Sequence, residues 1–223
     1  MPQLPPKTAI EAVIFDLDGV LVSSIPIHYE AFRRTFAAEG RAFTFEDYLA
    51  IGAGAARDVL LRRVLGELED AKLAELMAAK EHHVRDLIVE RGLEEVPGAR
   101  EFVAAVRARG CRTAVGTSSR TPALLLGDGF DGLFDAIVDR TQVSRPKPDP
   151  EIFLLAAERL GIAPERCLVL EDSPAGVEAG LAASMTVIAL TTSEPPSRLE
   201  RAHAVLSGYD AIDLDEWIPH RDE

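Results

Sequence analysis

Short, continuously apolar runs rich in β-branched residues are the feature that most constrains what this chain can fold into. They lie at residues 12–15, 113–116, 136–138, 167–170 and 186–190. Apolar runs without polar alternation are typical of parallel strands that helices cover on both faces. Helical patterns separate the later runs, so the chain alternates between strand and helix. This alternation predicts an α/β fold whose core is a Rossmann-like, doubly wound parallel sheet.

One long interval breaks the alternation. Residues 23–95 show only helical patterns, with apolar side chains on one stripe through 73–88 and a similar stripe through 60–68. The α/β pattern resumes after this interval. We therefore predict an α/β core domain of residues 1–22 and 96–223, interrupted by an all-helical cap domain of residues 23–95.

Composition excludes several classes of partner. The chain has 223 residues, with 24 Lys and Arg against 37 Asp and Glu, which gives a net charge of −13. Nucleic acids and anionic membrane surfaces both require a basic face, so we expect neither as a partner. No stretch approaches the roughly 18 consecutive apolar residues of a membrane span. Residues 1–7 contain no apolar signal-peptide segment, and we expect a cytoplasmic protein. The sequence does not determine the oligomeric state.

Polar side chains follow four of the predicted strands at their carboxyl ends, the edge where open α/β sheets bind ligands. They are Asp16 and Asp18 after the first strand, Thr117 and Ser118 after the second, Lys147 beyond the third, and Glu171 and Asp172 after the fourth. A solvated strand end or a helix cap explains any one of them alone. Their concentration at one edge of the sheet instead indicates a functional site.

This set of side chains suits phosphoryl transfer through a covalent intermediate. A carboxylate nucleophile divides such a transfer into two easier steps. The carboxylates would repel one another without a cation among them, and Mg²⁺ prefers oxygen ligands. Lys147 can neutralise the nucleophile and the phosphate oxygens, while the Thr117 hydroxyl can bind one of those oxygens. Asp18, which precedes Gly19 in a chain turn, can act as general acid and base.

Four motifs, in order along the chain, resemble those of the haloacid dehalogenase superfamily. The likeness is to the subgroup of β-phosphoglucomutase and small sugar-phosphate phosphatases, and it covers nearly the whole chain. The motifs are Asp16-Leu-Asp18-Gly after an apolar strand, Thr117-Ser118 at a strand end, Lys147-Pro, and Glu171-Asp172-Ser. The first motif alone is moderately specific, whereas all four in order are a strong signal.

The resemblance implies a role for each of these residues. It implies that Asp16 is the nucleophile, that Asp18 is the acid and base, and that the helical insert closes over the substrate. The implied Mg²⁺ site consists of Asp16, the backbone carbonyl of Asp18, Glu171 and Asp172. The implied phosphate-binding residues are Thr117, Ser118 and Lys147.

The insert contains three further candidates, His28, Arg57 and Lys80. Residues 23–28 resemble the subgroup's linker, in which the histidine couples closure to acid–base chemistry, although Ser stands at 23 where Asp is usual. Arg57 and Lys80 match cap residues of the mutases, but the stretch before Arg57 has few hydroxyls. Lys80 also lies on an apolar stripe, where a charge is costly unless it extends to solvent or faces an anion. The alternatives are a surface helix position for His28, a charged residue in the first turn of a helix for Arg57, and extension to solvent for Lys80.

Together these observations predict a Mg²⁺-dependent phosphohydrolase that acts on a small phosphorylated metabolite, a sugar phosphate, through an aspartyl phosphate. The alternative is a phosphomutase of the β-phosphoglucomutase type, which the core motifs do not separate from a hydrolase. A non-catalytic metabolite-sensing relative would lack the nucleophile, the lysine or the acidic pair, and none is missing. A phosphonate-cleaving relative would use a cap lysine, but the linker and cap match the mutase–phosphatase subgroup better. The sequence does not determine the exact substrate.

Overall fold

The structure, a computed structural model, describes residues 9–51 and 57–218. The amino-terminal segment used to predict localisation and the hydroxyl-poor stretch at 52–56 lie outside the described residues. The chain divides into two compact units, one of Met1–Ser23 with Glu94–Glu223 and one of Ser24–Leu93. We call them the sheet unit and the helical unit.

A six-stranded parallel sheet forms the centre of the sheet unit. Its strands, in the order in which they lie side by side, are β5 (Ala136–Val138), β4 (Arg112–Gly116), β1 (Ala12–Phe15), β6 (Cys167–Glu171), β7 (Thr186–Leu190) and β8 (Ala204–Leu206). The chain builds β4 and β5 on one side of β1, then β6, β7 and β8 on the other. The predicted doubly wound α/β fold is confirmed, and the strand order reverses beside β1, where such folds bind their ligands.

Helices connect the strands of this sheet, and a last short helix follows the final strand. They are α5 (Ala99–Ala108), α6 (Pro122–Leu126), α7 (Glu151–Leu160), α8 (Pro174–Ala182), α9 (Pro196–Leu199) and α10 (Leu214–Trp217). Every residue of β1 is buried, as expected for a central strand covered on both faces. Phe153 of α7 and Val177 of α8 pack in one apolar core with Ile14, Val169 and Val187 of the strands.

The sequence analysis did not predict three of the strands. β8 has only three half-buried residues at the edge of the sheet, which is too short for a periodic pattern. The others, β2 (Val22–Ser23) and β3 (Glu94–Glu95), form a separate antiparallel pair of two residues each. This pair lies in the sheet unit, so the helical unit covers 24–93 rather than the 23–95 of the sequence analysis.

The helical unit consists of α1 (Ile25–Ala38), α2 (Phe45–Ile51), α3 (Arg57–Leu65) and α4 (Asp70–Arg91). Its core is aromatic and aliphatic: Phe32, Phe36, Phe43, Tyr48, Leu60, Leu61 and Leu76. The stripe predicted through 73–88 lies within α4. The stripe predicted through 60–68 is wrong at its end, because α3 ends at Leu65 and Gly66 follows with φ +86°. Leu68 nevertheless packs, half-buried, against the same core.

No helix within the described ranges combines the length and the apolar character needed to cross a membrane.

Candidate active site

Three buried carboxylates meet where β1 and β6 end. Asp16 follows β1, and its backbone N–H donates to Leu170 O at 2.9 Å. Glu171 is the last residue of β6, and Asp172 follows it. Because β1 and β6 pair side by side, oxygens of these three carboxylates lie within 4.8 Å of one another. Asp16 is 8% exposed, Asp172 is 5% exposed and Glu171 is fully buried, so solvent screens the repulsion between their charges only weakly.

Lys147 connects this cluster to the neighbouring strand β4. Its Nζ donates to Asp16 Oδ1 at 2.5 Å, to Glu171 Oε1 at 2.6 Å and to the carbonyl of Gly116 at 2.9 Å. The same ammonium group lies 4.6 Å from the centre of the Phe153 ring. Burial alone lowers the pKa of Lys147, but the charges of Asp16 and Glu171 outweigh burial and raise it. Lys147 therefore remains a cation in the interior.

With all three carboxyl groups ionised, the cluster would carry more negative charge than Lys147 balances. Burial raises the pKa of Asp16 to about 7, with Lys147 acting to lower it and Glu171 to raise it further. Burial also raises the pKa of Asp172, followed by the charges of Glu171 and Asp16. Three carboxylates around one ammonium group thus suit a further cation with oxygen ligands. The absence of a side chain at Gly19 leaves room for the Asp172 carboxylate, since a Cβ at this position would lie 1.7 Å from Asp172 Oδ2.

Both oxygens of Glu171 are engaged by protein donors. Oε2 accepts from the Asp172 N–H at 2.9 Å and from the N–H and hydroxyl of Ser173 at 3.0 and 2.9 Å, while Oε1 accepts from Lys147. The Ser173 hydroxyl in turn accepts from Gly176 N at 3.1 Å and caps α8. The Glu171 carboxylate therefore orients Lys147 and the start of α8.

Asp18 lies in the loop that leaves the site, residues 17–22. Gly19 has φ +74°, a conformation that favours glycine, and its N–H donates to Val22 O at 2.7 Å. Asp18 forms an isolated β-bridge with Val22 and is half-buried. The charge of Asp18 contributes to the raised pKa of Asp16, so the two carboxyl groups lie close enough to repel each other.

Thr117 and Ser118 stand at the end of β4 with different exposure. Thr117 is buried, and its Oγ accepts from the Ser119 N–H at 3.0 Å, which leaves its own O–H able to donate to a ligand oxygen. Ser118 is exposed. Because Lys147 binds the carbonyl of Gly116, the residue before Thr117, the end of β4 is tied to the carboxylate cluster.

In the helical unit, two of the three candidates are in contact. Lys80 Nζ lies 2.9 Å from His28 Nδ1 and 5.1 Å from the centre of the Phe32 ring. Burial, then the charges of Lys80 and Arg57, lower the pKa of His28 to about 3, so a neutral His28 accepts from the Lys80 ammonium group. Lys80 is 3% exposed, which excludes its extension to solvent. Arg57 is half-exposed and pairs with Glu81 at 2.8 Å.

The sequence analysis missed side chains that follow β7. The Ser193 hydroxyl donates to the Asp172 carboxylate, and Thr192 Oγ1 donates to Gly19 O at 2.6 Å. The rule that polar groups gather at carboxyl ends of strands would have found both. Tyr209, whose hydroxyl donates to Val20 O at 2.9 Å, comes from a short 3-10 segment and gave no comparable signal.

The family model for haloacid dehalogenase-like hydrolases matches residues 10–184 of this chain. The chain belongs to this family. It is 37% identical over 191 residues to a phosphorylated carbohydrates phosphatase of Thermotoga maritima, a match that covers 79% of this chain and 82% of that protein. It is 32% identical over 195 residues to a β-phosphoglucomutase of Bacillus subtilis, covering 83% and 85%.

The crystal structure of a HAD family hydrolase from Deinococcus radiodurans, with bound phosphate and sodium, is similar at a TM-score of 0.78 and 28% identity, covering 96% of this chain and 99% of that one. These likenesses confirm the predicted superfamily and its β-phosphoglucomutase-like subgroup. The protein is accordingly an enzyme of the phosphatase or phosphomutase type within this family.

Proposed function

We propose that the protein is a Mg²⁺-dependent phosphohydrolase that removes the phosphoryl group of a small sugar phosphate through an aspartyl phosphate on Asp16. The observation that carries the proposal is the buried arrangement of Asp16 between Lys147 and Asp172 at the switch point of the sheet. The similarity to a carbohydrate phosphatase supports the substrate class.

The acidic cluster supports the metal in this proposal. The carboxylates of Asp16 and Asp172, with the backbone carbonyl of Asp18, would hold Mg²⁺, and Glu171 belongs to the same cluster. When bound, Mg²⁺ supplies positive charge that offsets both the carboxylates and the oxygens of the phosphoryl group.

In the first step, a carboxylate oxygen of Asp16 attacks phosphorus and the bond from phosphorus to the sugar oxygen breaks. Asp18 gives its proton to that leaving oxygen. In the second step, Asp18 takes a proton from a water molecule, whose oxygen bonds to phosphorus as the bond to Asp16 breaks. Inorganic phosphate leaves, and both carboxyl groups return to their starting states.

The remaining residues bind the phosphoryl group and the rest of the substrate. Lys147 offsets the charge of Asp16, which allows an anionic phosphate ester to approach it. Thr117 and Ser118 would donate hydrogen bonds to phosphoryl oxygens. We assign the helical unit the role of a cap, whose His28, Arg57 and Lys80 recognise the part of the substrate that does not react.

A phosphomutase is the second candidate, favoured by the likeness to the β-phosphoglucomutase of Bacillus subtilis. It would form the same aspartyl phosphate but return the phosphoryl group to another hydroxyl of the sugar. Incubation of β-glucose 1-phosphate with Mg²⁺ and a trace of glucose 1,6-bisphosphate, followed by phosphorus NMR, separates the two. Steady release of inorganic phosphate supports the hydrolase, whereas net glucose 6-phosphate would establish the mutase.

A panel of phosphorylated sugars, scored for released phosphate, tests the proposal as a whole. We expect Asp16→Asn to abolish turnover because an amide oxygen is a poor nucleophile. Excess EDTA should abolish turnover of the wild type. Asp131→Asn, which changes an exposed carboxylate, serves as the matched control and should leave turnover unchanged. Equal turnover by Asp16→Asn and the wild type would show the catalytic assignment to be wrong.

A further inference from the structure

The loop 17–22 is held in place by hydroxyl groups from a distant part of the chain. Two successive carbonyls of the loop, those of Gly19 and Val20, each accept a side-chain hydrogen bond. Thr192 Oγ1 donates to Gly19 O at 2.6 Å, and the Tyr209 hydroxyl donates to Val20 O at 2.9 Å. Because these bonds act on neighbouring peptide groups, they fix the orientation of the two peptide planes that follow the Asp18–Gly19 peptide.

The same loop is tightly packed on its other side. A Cβ at Gly19 would lie 1.7 Å from Asp172 Oδ2 and 2.7 Å from Ser193 Oγ. Movement of Gly19 toward the site is therefore blocked by Asp172 and Ser193. Movement of the loop away from Thr192 and Tyr209 is also resisted, because the carbonyls of Gly19 and Val20 would lose their hydrogen bonds.

Both hydroxyls come from rigid supports. Thr192 lies two residues beyond the end of β7, where the Thr191 N–H donates to Leu206 O of the neighbouring strand at 2.9 Å. Tyr209 is 5% exposed, and its ring packs 4.9 Å from the centre of the Phe102 ring. Thr192 and Tyr209 also follow residue 184, where the match to the family model ends.

We propose that Thr192 and Tyr209 are positioning residues that fix the loop carrying Asp18. A general acid must be held close to the geometry of proton transfer, and supporting hydrogen bonds supply that precision. Neither residue touches the reacting atoms in this scheme. The effect on turnover rests on the proposed function, whereas the effect on the loop does not.

The kinetic test uses matched substitutions at one position. Thr192→Val removes the hydroxyl at nearly constant shape, Thr192→Ser keeps the hydroxyl, and Thr191→Val makes the same change one residue earlier. With the sugar phosphate that the wild type hydrolyses, we expect kcat to fall about tenfold in Thr192→Val with KM nearly unchanged. Thr192→Ser and Thr191→Val should stay within about twofold of the wild type. Tyr209→Phe, which also removes only a hydroxyl, should resemble Thr192→Val.

Hydrogen–deuterium exchange tests the loop itself without any substrate. The N–H groups of Gly19, Leu21 and Val22 donate within the loop, so their exchange reports its opening. Thr192→Val should speed their exchange about fivefold or more, and Thr191→Val should not. Equal exchange in these two variants would overturn the inference, as would an unchanged kcat in Thr192→Val. If the wild type turned over no phosphate ester, the proposed function would fail, while the exchange rates would still decide whether Thr192 holds the loop.

Discussion

Replacement of Asp172 by asparagine tests whether the carboxylate cluster needs a further positive charge to offset its repulsion. Asp172 faces Asp16 and Glu171, with oxygens of all three within 4.8 Å of one another. At an effective dielectric constant of about 20, two unit charges at that separation of 4.8 Å repel by about 3.5 kcal/mol. Lys147 offsets part of the repulsion from both neighbours. Protonation of the wild-type carboxyl group, whose pKa is raised by burial and by Glu171, relieves a further part.

In EDTA, we therefore expect Asp172→Asn to raise the free energy of unfolding by about 1 to 3 kcal/mol, although it removes a charged group. Mg²⁺ should offset this advantage of the variant. At a free concentration a hundred times its dissociation constant, the metal stabilises the wild type by about 2.7 kcal/mol. The variant should gain less than about 0.5 kcal/mol, because one of the proposed metal ligands has lost its charge.

Urea unfolding followed by circular dichroism, in EDTA and in MgCl₂, measures all four free energies. Asp131→Asn alters an exposed carboxylate and should keep the wild-type response to Mg²⁺. The reasoning is refuted if Asp172→Asn loses more than about 1 kcal/mol in EDTA, or if Mg²⁺ stabilises it as much as the wild type.

Two further substitutions test the packing and the charges around the proposed site residues. Gly176→Ala would place a Cβ 1.8 Å from Glu171 Oε1. We therefore expect this substitution to lower the free energy of unfolding by about 2 kcal/mol and to reduce turnover. Urea unfolding measures the loss, and Ala175→Ser, at an exposed position, is the control. His28 is neutral when folded, because burial and then the charges of Lys80 and Arg57 lower its pKa from 6.5 to about 3. The unfolded chain therefore binds the proton first as the pH falls, and the stability that neutral His28 contributes is present above pH 6.5 and is lost below it. Between pH 7.5 and 5 the free energy of unfolding should fall by about 2 kcal/mol more in the wild type than in His28→Asn. His82→Asn, at an exposed position, should follow the wild type. Parallel pH profiles for all three proteins would contradict the burial of a neutral His28.

The sheet and the centre of the site follow from local patterns in the sequence. Apolar runs mark β1 and β6, and the polar residue after each run belongs to the edge that gathers Asp16 and Glu171. Lys147 comes from a loop, and its motif rather than any periodicity identified it. The stripe along α4 marked Lys80 as a charge at an apolar position and left its extension to solvent open, and it gave no sign that His28 is its partner. That contact joins helices far apart in sequence, and neither helix specifies it alone.

The targets of single hydroxyl groups were not predictable in the same way. Thr192 and Tyr209 act on backbone carbonyls, which every residue carries, so no complementary side chain marks their targets. β8 was missed for a related reason, since its three residues acquire a strand conformation by pairing with β7. Such features depend on the assembled fold rather than on the residue pattern around them.

The β2–β3 pair makes the helical unit exchangeable. Val22 pairs with Glu95 and Ser23 with Glu94, so the chain leaves the sheet unit and returns to it at adjacent points. Once two ends are held together, the length of chain between them adds little entropic cost, growing only with its logarithm. A hairpin turn or an unrelated helical segment can therefore be spliced between Ser23 and Glu94 without redirecting any strand of the sheet. The same short ladder offers protein engineers a fixed junction at which the whole helical unit can be replaced as a cassette.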